Sequence, residues 1–240
     1  MKKIIIISIL LIATQIQAQF WKDAIKGNGK LDTEQRKVSD FNKLVVTGPF
    51  DVLLLPNSDG KISITADENL LPVIETFVKN GKLIIRFNKE IEVRKYTKLY
   101  VVVPVEELKK ISLTGSGSVK NQQLIDWDEV SLSVTGSGDI RLKVQMNYIK
   151  ASVTGSGEIY LTGKADATKL NVTGSGEIDA KNLKTLKSEI LLTGSGDIYV
   201  DVSDSLKAKV LGSGDLYYYT EPEYIKVNSL GSGDVIDKSK

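Results

Sequence analysis

Six acidic residues recur at one phase of the chain: Asp139, Glu158, Glu177, Asp197, Asp215 and Asp234 each directly follow a Gly-Ser-Gly triplet. Stacked in a column, such carboxylates could hold divalent cations through oxygen ligands. Two carboxylates held in unlike environments could also divide general acid and base roles. Four tyrosines share the neighbourhood. Tyr160, Tyr199 and Tyr217 follow an acid by two positions, and Tyr219 lies two further on. Aromatic faces of this kind stack on sugar rings and anchor partner surfaces. Other chemistries are excluded by composition. The 240 residues contain no His and no Cys, which removes a Ser-His-Asp triad, imidazole or thiolate metal sites, a cysteine nucleophile and any disulfide. With 32 Lys+Arg against 30 Asp+Glu, the net charge of +2 is not the clustered basic footprint of a nucleic-acid binder.

Each candidate has a plainer reading. A carboxylate after Gly-Ser-Gly accepts turn hydrogen bonds, and tyrosine is a favoured residue of exposed strands. Six like charges at the ~4.8 Å spacing of neighbouring strands repel by about 1 kcal/mol per neighbour in bulk water. Cations, lysines or solvent would each relieve that. The six acids therefore read first as structural, with a cation ladder as the alternative. A uniform ladder also lacks the paired unlike environments that acid–base catalysis needs. No catalytic residue, cofactor or resident metal is expected.

The repeat must position these residues. Gly-Ser-Gly starts at Gly115, Gly136, Gly155, Gly174, Gly194, Gly212 and Gly231, so 14 of the 20 glycines mark one recurring site. A period near 19 is too short for propeller blades at ~40 residues, and the leucine-rich and calcium-nonapeptide signatures are absent. Alternation fits strands: Val130, Leu132 and Val134 alternate with Ser131, Ser133 and Thr135, and the parity continues through Gly136, Gly138, Ile140 and Leu142. The sequence thus predicts an all-β parallel β-solenoid with one coil per repeat. The triplet glycines face inward at a bend, required either by positive φ or by lack of room for a Cβ.

Residues 1–18 read as a signal peptide: Lys2 and Lys3, the apolar run from Ile4 to Ala13, and Ala18 at the cleavage point. Their removal leaves 30 basic against 30 acidic residues. Without Cys after the apolar run, a lipoprotein anchor is not expected. Residues 19–37 read as a polar leader or linker, and residues 38–240 as a single β-helix domain. Within it, 38–110 supply N-terminal strands and a cap, and 111–236 the seven repeats. "TGPFDV" (Thr47 to Val52) echoes "TGSGDI". Asp67 is placed to cap a short helical turn before Pro72, and Asn80-Gly81 to turn a hairpin. Trp127 packs at a corner, and alternation puts Tyr148 at least half inside. The run from Leu216 to Tyr224 is expected to fold over the last coil, with a weak end-to-end dimer as the alternative to a monomer.

These stretches carry a resemblance. "GNGK", "TEQRKVSDFNKLVVTGPFDVLL", "ITADENLLPVIETFVKNGKLIIRF" and the repeated "LSVTGSGDIRL" units resemble the putative auto-transporter adhesin, head GIN domain family over roughly residues 27 to 236. The resemblance implies an exported bacterial-envelope protein, in the periplasm, on the outer surface or in the medium, folded as a single-stranded right-handed β-helix. It supplies no catalytic residues, and no segment here is patterned as the membrane barrel of an autotransporter. The expected function is a non-enzymatic adhesin-like or scaffold module with a protein or glycan ligand. It binds no nucleic acid, and its mature chain has no membrane span. A polysaccharide-binding or polysaccharide-degrading β-helix is the alternative.

Overall fold

The computed structural model describes residues 23–56 and 60–240; the expected signal peptide lies outside them. Strands come first at β1 (Asp23–Lys26) and β2 (Leu31–Lys37), so the stretch read as a polar leader is partly sheet. The alternation between 38 and 104 then yields β3 (Lys43–Thr47), β4 (Asp51–Leu55), β5 (Lys61–Asp67), β6 (Ile74–Lys79), β7 (Lys82–Phe87), β8 (Ile91–Lys95) and β9 (Leu99–Pro104). The repeats give β10 (Lys110–Gly115), β11 (Ser118–Asn121), β12 (Ile125–Asp126), β13 (Glu129–Gly136), β14 (Asp139–Gly155), β15 (Glu158–Gly174), β16 (Glu177–Gly194) and β17 (Asp197–Gly212). Last come β18 (Leu216–Tyr218), β19 (Tyr224–Gly231) and β20 (Val235–Asp237). The result is a β-solenoid of about 7 stacked parallel turns, each of roughly 19 residues.

Register is set by the period-2 pattern. On the side leading into each triplet, Val46, Leu113, Val134, Val153, Val172, Leu192 and Val210 stack in one column. On the side leaving it, Val52, Val119, Ile140, Ile159, Ile178, Ile198 and Leu216 do the same. All fourteen are buried. A one-residue slip would turn every one of them outward, which is why the register holds through seven coils. Polar groups that do enter the coil are paired. Asn121 donates through Nδ2 to the carbonyls of Gln123 and Lys143 at 2.8 Å, and its Oδ1 accepts the Lys143 N–H at 2.9 Å. Thr168 and Ser188 share a hydroxyl contact of 2.8 Å.

Each triplet is a corner, and its two glycines answer different constraints. Gly155 has φ +111°, a backbone that side chains rarely adopt, and a Cβ there would meet the Gly136 carbonyl oxygen at 2.7 Å. Gly157 lacks positive φ, but its Cβ would lie 2.5 Å from both the Gly138 oxygen and Val134 Cγ1. The first coil separates the two demands. "TGPFDV" is a true copy, with Thr47 paired to Thr114 and Asp51 to Ser118. Gly48 keeps φ +114°, while Phe50 occupies the second glycine's place. No earlier coil lies beneath that corner, so the ring turns inward, fully buried, against Phe87 at 4.8 Å.

The N-terminal end is closed as the irregular region suggests. β7 and β9 extend the two sides beneath β3 and β4, and antiparallel β6, β5 and β2 finish the sheet. Asn80 (φ 53°) and Gly81 (φ 69°) form the two-residue hairpin between Lys79 and Lys82. Asp67 has another role than the expected cap. The 3₁₀ turn Leu71–Val73 is capped at Leu70 without a side chain. The buried Asp67 carboxylate instead accepts the Gly29 and Thr97 N–H groups at 2.7 Å and the Thr97 hydroxyl at 2.9 Å. Burial opposes its charge, yet these donors hold its carboxyl below the usual range. Trp127 packs at its corner with Nε1 donating to the Glu106 carbonyl at 2.6 Å.

Tyr148 is 37% exposed and so more than half inside, as the alternation suggests, with the Asn147 and Tyr148 N–H groups both bonding the Asp128 carbonyl. One expectation is corrected. The run from Leu216 to Tyr224 does not fold over the edge. Leu216–Tyr218 pairs between β17 and β20, and Tyr224 begins β19, which lies on β17. Backbone pairing there satisfies more groups than a folded-over loop would.

Candidate functional site

The strand leaving each corner carries the candidates on its outer side. Asp51, Ser118, Asp139, Glu158, Glu177 and Asp197 pair in one register column. Asp215 and Asp234 continue it: the Asp215 N–H donates to Asp197 Oδ1 at 2.9 Å and the Asp234 N–H to Asp215 Oδ1 at 2.8 Å. The sequence-predicted ladder is therefore real as a geometric object. Two of its carboxylates serve the backbone of the next coil rather than their own turn.

Other carboxylates of the column are met by protein side chains. Arg141 Nη2 lies 3.5 Å from both Asp139 Oδ2 and Glu158 Oε2. Tyr160 donates its hydroxyl to Glu158 Oε2 at 2.6 Å, and Ser118 to Asp51 Oδ1 at 2.6 Å. Partial burial raises the Asp139 carboxyl against the pull of Arg141, with Glu158 adding to the rise. Burial, then Asp179, Glu158 and Asp197, raise Glu177. Both rises come first from burial, with the like-charged neighbours adding to it. Among the described residues, no three acidic side chains converge into a group that could hold a metal ion.

The tyrosines form the adjacent outer column. Arg141 pairs with Tyr160, Tyr160 with Asp179, Asp179 with Tyr199 and Tyr199 with Tyr217. The Tyr199 and Tyr217 rings stack at 4.7 Å with 8° between planes. That separation is the strand spacing itself, so the stack is imposed by register. Tyr219 stands beside them, close enough to influence both rings electrostatically, and its N–H bonds the Val200 carbonyl at 2.9 Å. All four tyrosines are half-buried rather than free.

Cations cover these rings, a feature the alternation did not reveal. The Arg141 guanidinium lies 4.4 Å from the Tyr160 ring centre, Lys181 Nζ 5.6 Å from Tyr199 and Lys238 Nζ 5.9 Å from Tyr217. Lys181 reaches there through a bulge: Tyr160 pairs with Asp179 but Thr162 with Asn182. The 20-residue spacing from Gly174 to Gly194 was its trace in the sequence. Asp179, the acid interrupting the tyrosines, is nearly buried and paired to Lys181 Nζ at 2.8 Å.

The site holds protons rather than moving them. The hydrogen bond to Glu158, then burial, push the Tyr160 hydroxyl up to about 12. Burial, then Asp197 and Glu177, push Tyr199 up to about 12. Both stay hydroxyl donors at neutral pH. The arrangement offers stacked rings, ordered carboxylates and fixed cations along one rigid face, which is an array for contact.

The family described as putative auto-transporter adhesin, head GIN domain, matches residues 40–222. No curated protein matches the chain. A putative adhesin from Bacteroides fragilis NCTC 9343 is similar at 26% identity and TM-score 0.82, covering 89% of this chain and 99% of that one. A putative lipid binding protein from Parabacteroides distasonis ATCC 8503 is similar at 29% identity and TM-score 0.75, covering 90% and 99%. A putative adhesin from Parabacteroides merdae ATCC 43184 is similar at 26% and 0.73, again covering 90% and 99%.

Proposed function

The chain belongs to the putative auto-transporter adhesin, head GIN domain family, and on that premise we propose that it is an exported, non-enzymatic binding module of the bacterial envelope. The carrying observation is the continuous outer face on which Tyr160, Tyr199, Tyr217 and Tyr219 lie against ordered carboxylates and cations. The ligand is a protein or glycan surface, held by half-buried aromatic anchors with a polar surround. Repetition argues against catalysis, because each acid recurs coil after coil and the tyrosine hydroxyls stay protonated. The module works as a monomer or a weak end-to-end dimer. The exposed Ile225 and Leu230 of β19 are the contacts for the dimer. No helix among the described residues is long and apolar enough to cross a membrane. Export rests on residues 1–18, and mass spectrometry of an envelope or medium fraction is expected to find Gln19 as the first residue.

A panel of uncharged glycans and of proteins tests the face. Tyr199→Ala with Tyr217→Ala is expected to abolish binding to that panel while leaving the coil folded. Binding unchanged by that pair refutes the assignment. A polysaccharide-degrading activity is the alternative, and a reducing-end assay on the same panel detects it.

A further inference from the structure

A second ladder runs along the strand that enters each corner. Lys82 pairs with Lys43, Lys43 with Lys110, Lys110 with Ser131, Ser131 with Lys150 and Lys150 with Lys169. Lys169 then pairs with Glu189, Glu189 with Lys207 and Lys207 with Lys226. Across the hairpin, Lys79 pairs with Lys82. One outward column thus carries eight lysines, interrupted by Ser131 and Glu189. Lys169 is partnered by Glu189 at 2.9 Å. Lys79, Lys82, Lys110, Lys150, Lys207 and Lys226 are exposed, and no carboxylate of the described residues lies within ion-pair distance of them.

We propose that this lysine ladder is a binding face for a linear anionic polysaccharide bearing one carboxylate per sugar. It is a different face from the tyrosine column. The corner separates them, so a chain close to neutral overall presents acids on one side and lysines on the other.

Three observations select that partner. First, the pitch: coils repeat at ~4.8 Å, close to the advance of one sugar along an extended uronic acid chain, so carboxylates and ammonium groups meet in step. Second, the chemistry beside the lysines suits sugar hydroxyls. Beside Lys110 to Lys169, Ser112, Ser133, Ser152 and Asn171 form the next column toward the corner and Thr114, Thr135, Thr154 and Thr173 the one after, and beside Lys207 and Lys226 the nearer column continues with Lys209 and Asn228. Third, the shape: the charges form a line on a sheet face, which matches a rod better than a plane of headgroups. A single-stranded nucleic acid would call for aromatic stacking platforms interleaved with the lysines, and the Ser and Thr columns do not supply them. Unpartnered lysines one strand apart repel one another. A polyanion removes that repulsion and releases its own counterions, as phosphate chains do on basic proteins.

The test is binding to immobilised polygalacturonate. The comparison ligands are dextran, phosphatidylglycerol-containing vesicles and single-stranded DNA at equal charge concentration. The protein is expected to bind polygalacturonate and not dextran, with affinity falling at least tenfold between about 50 and about 200 mM salt. Lys150→Gln with Lys207→Gln and Lys226→Gln should weaken binding at least tenfold. Lys120→Gln with Lys143→Gln and Lys164→Gln removes the same charge from strands beyond the corner and should change it less than twofold. Melting curves of both triple variants should match the parent, since every substituted side chain is exposed. Tyr199→Ala with Tyr217→Ala should retain polygalacturonate binding, which keeps this face separate from the adhesin reading. No binding, equal losses in the two triple variants, or tighter binding to vesicles or DNA would each overturn the proposal.

Discussion

One added methyl group, placed in turn at glycines of two corners, separates backbone conformation from close approach. Gly157→Ala puts a Cβ 2.5 Å from the Gly138 oxygen and from Val134 Cγ1, without positive φ. Both neighbours belong to the packed coil below and have nowhere to retreat, so the cost is overpacking, about 1–3 kcal/mol. Gly48→Ala is the converse. Its φ is +114°, but the nearest atom is Phe50 Cε2 at 3.3 Å, a ring edge that can shift. The cost there is backbone strain, again about 1–3 kcal/mol. Gly155→Ala meets both penalties, at φ +111° with the Gly136 oxygen at 2.7 Å, and should lose about the sum, roughly 2–6 kcal/mol. Ser156→Ala meets neither and should stay within about 0.5 kcal/mol. Urea unfolding with matched slopes measures all four, the slope check guarding against loss of two-state behaviour in a repeat protein. A Gly157→Ala variant as stable as Ser156→Ala would falsify the close-approach account. A Gly48→Ala loss equal to that of Gly155→Ala would show that the coil below contributes nothing.

Three other perturbations follow from the site and the cap. Spectrophotometric titration should show a late ionisation, near about 12, that Tyr160→Phe with Tyr199→Phe removes. Because their folded pKa is raised, the stability they contribute is intact below about 10 and is lost as pH rises towards about 12; a titration curve without that late step refutes the contacts. Asp67→Ala should cost about 2 kcal/mol by orphaning the Gly29 and Thr97 N–H groups. Its folded pKa is depressed, so its stabilisation is present above 3.8 and lost as pH falls through the folded value. The variant should therefore show a weaker acid dependence than the parent in melting temperature against pH. Calcium should stabilise no more than sodium at equal ionic strength, and Glu177→Gln should leave stability level or raise it, since its charged form is disfavoured. A calcium-specific rise in melting temperature abolished by Glu158→Gln with Glu177→Gln would reverse the structural reading of the ladder.

The strand parity was legible in the sequence because a period-2 pattern over seven copies admits one register. Val134, Gly136, Gly138 and Ile140 could only share a side, so the inner columns and the outward order Thr, Ser, acid and Tyr follow from the alternation alone. The Asn80-Gly81 hairpin was equally local. The lysine column was also present in the sequence, five residues ahead of each triplet from Lys110 to Lys226 apart from Ser131 and Glu189. Its significance depends on stacking, which turns a recurring residue into a line of charge. Other features were decided by the tertiary structure alone. Whether a triplet glycine answers φ or room depends on its own backbone and on the coil beneath: Gly48 meets the first demand, Gly157 the second and Gly155 both. Asp67 looked like a helix cap to its neighbours in sequence, but its partners Gly29 and Thr97 lie 38 and 30 residues away. Arg141 and Lys181 over the tyrosine rings depend on register and on a bulge, and a single coil's sequence encodes neither, because the contact belongs to two coils at once.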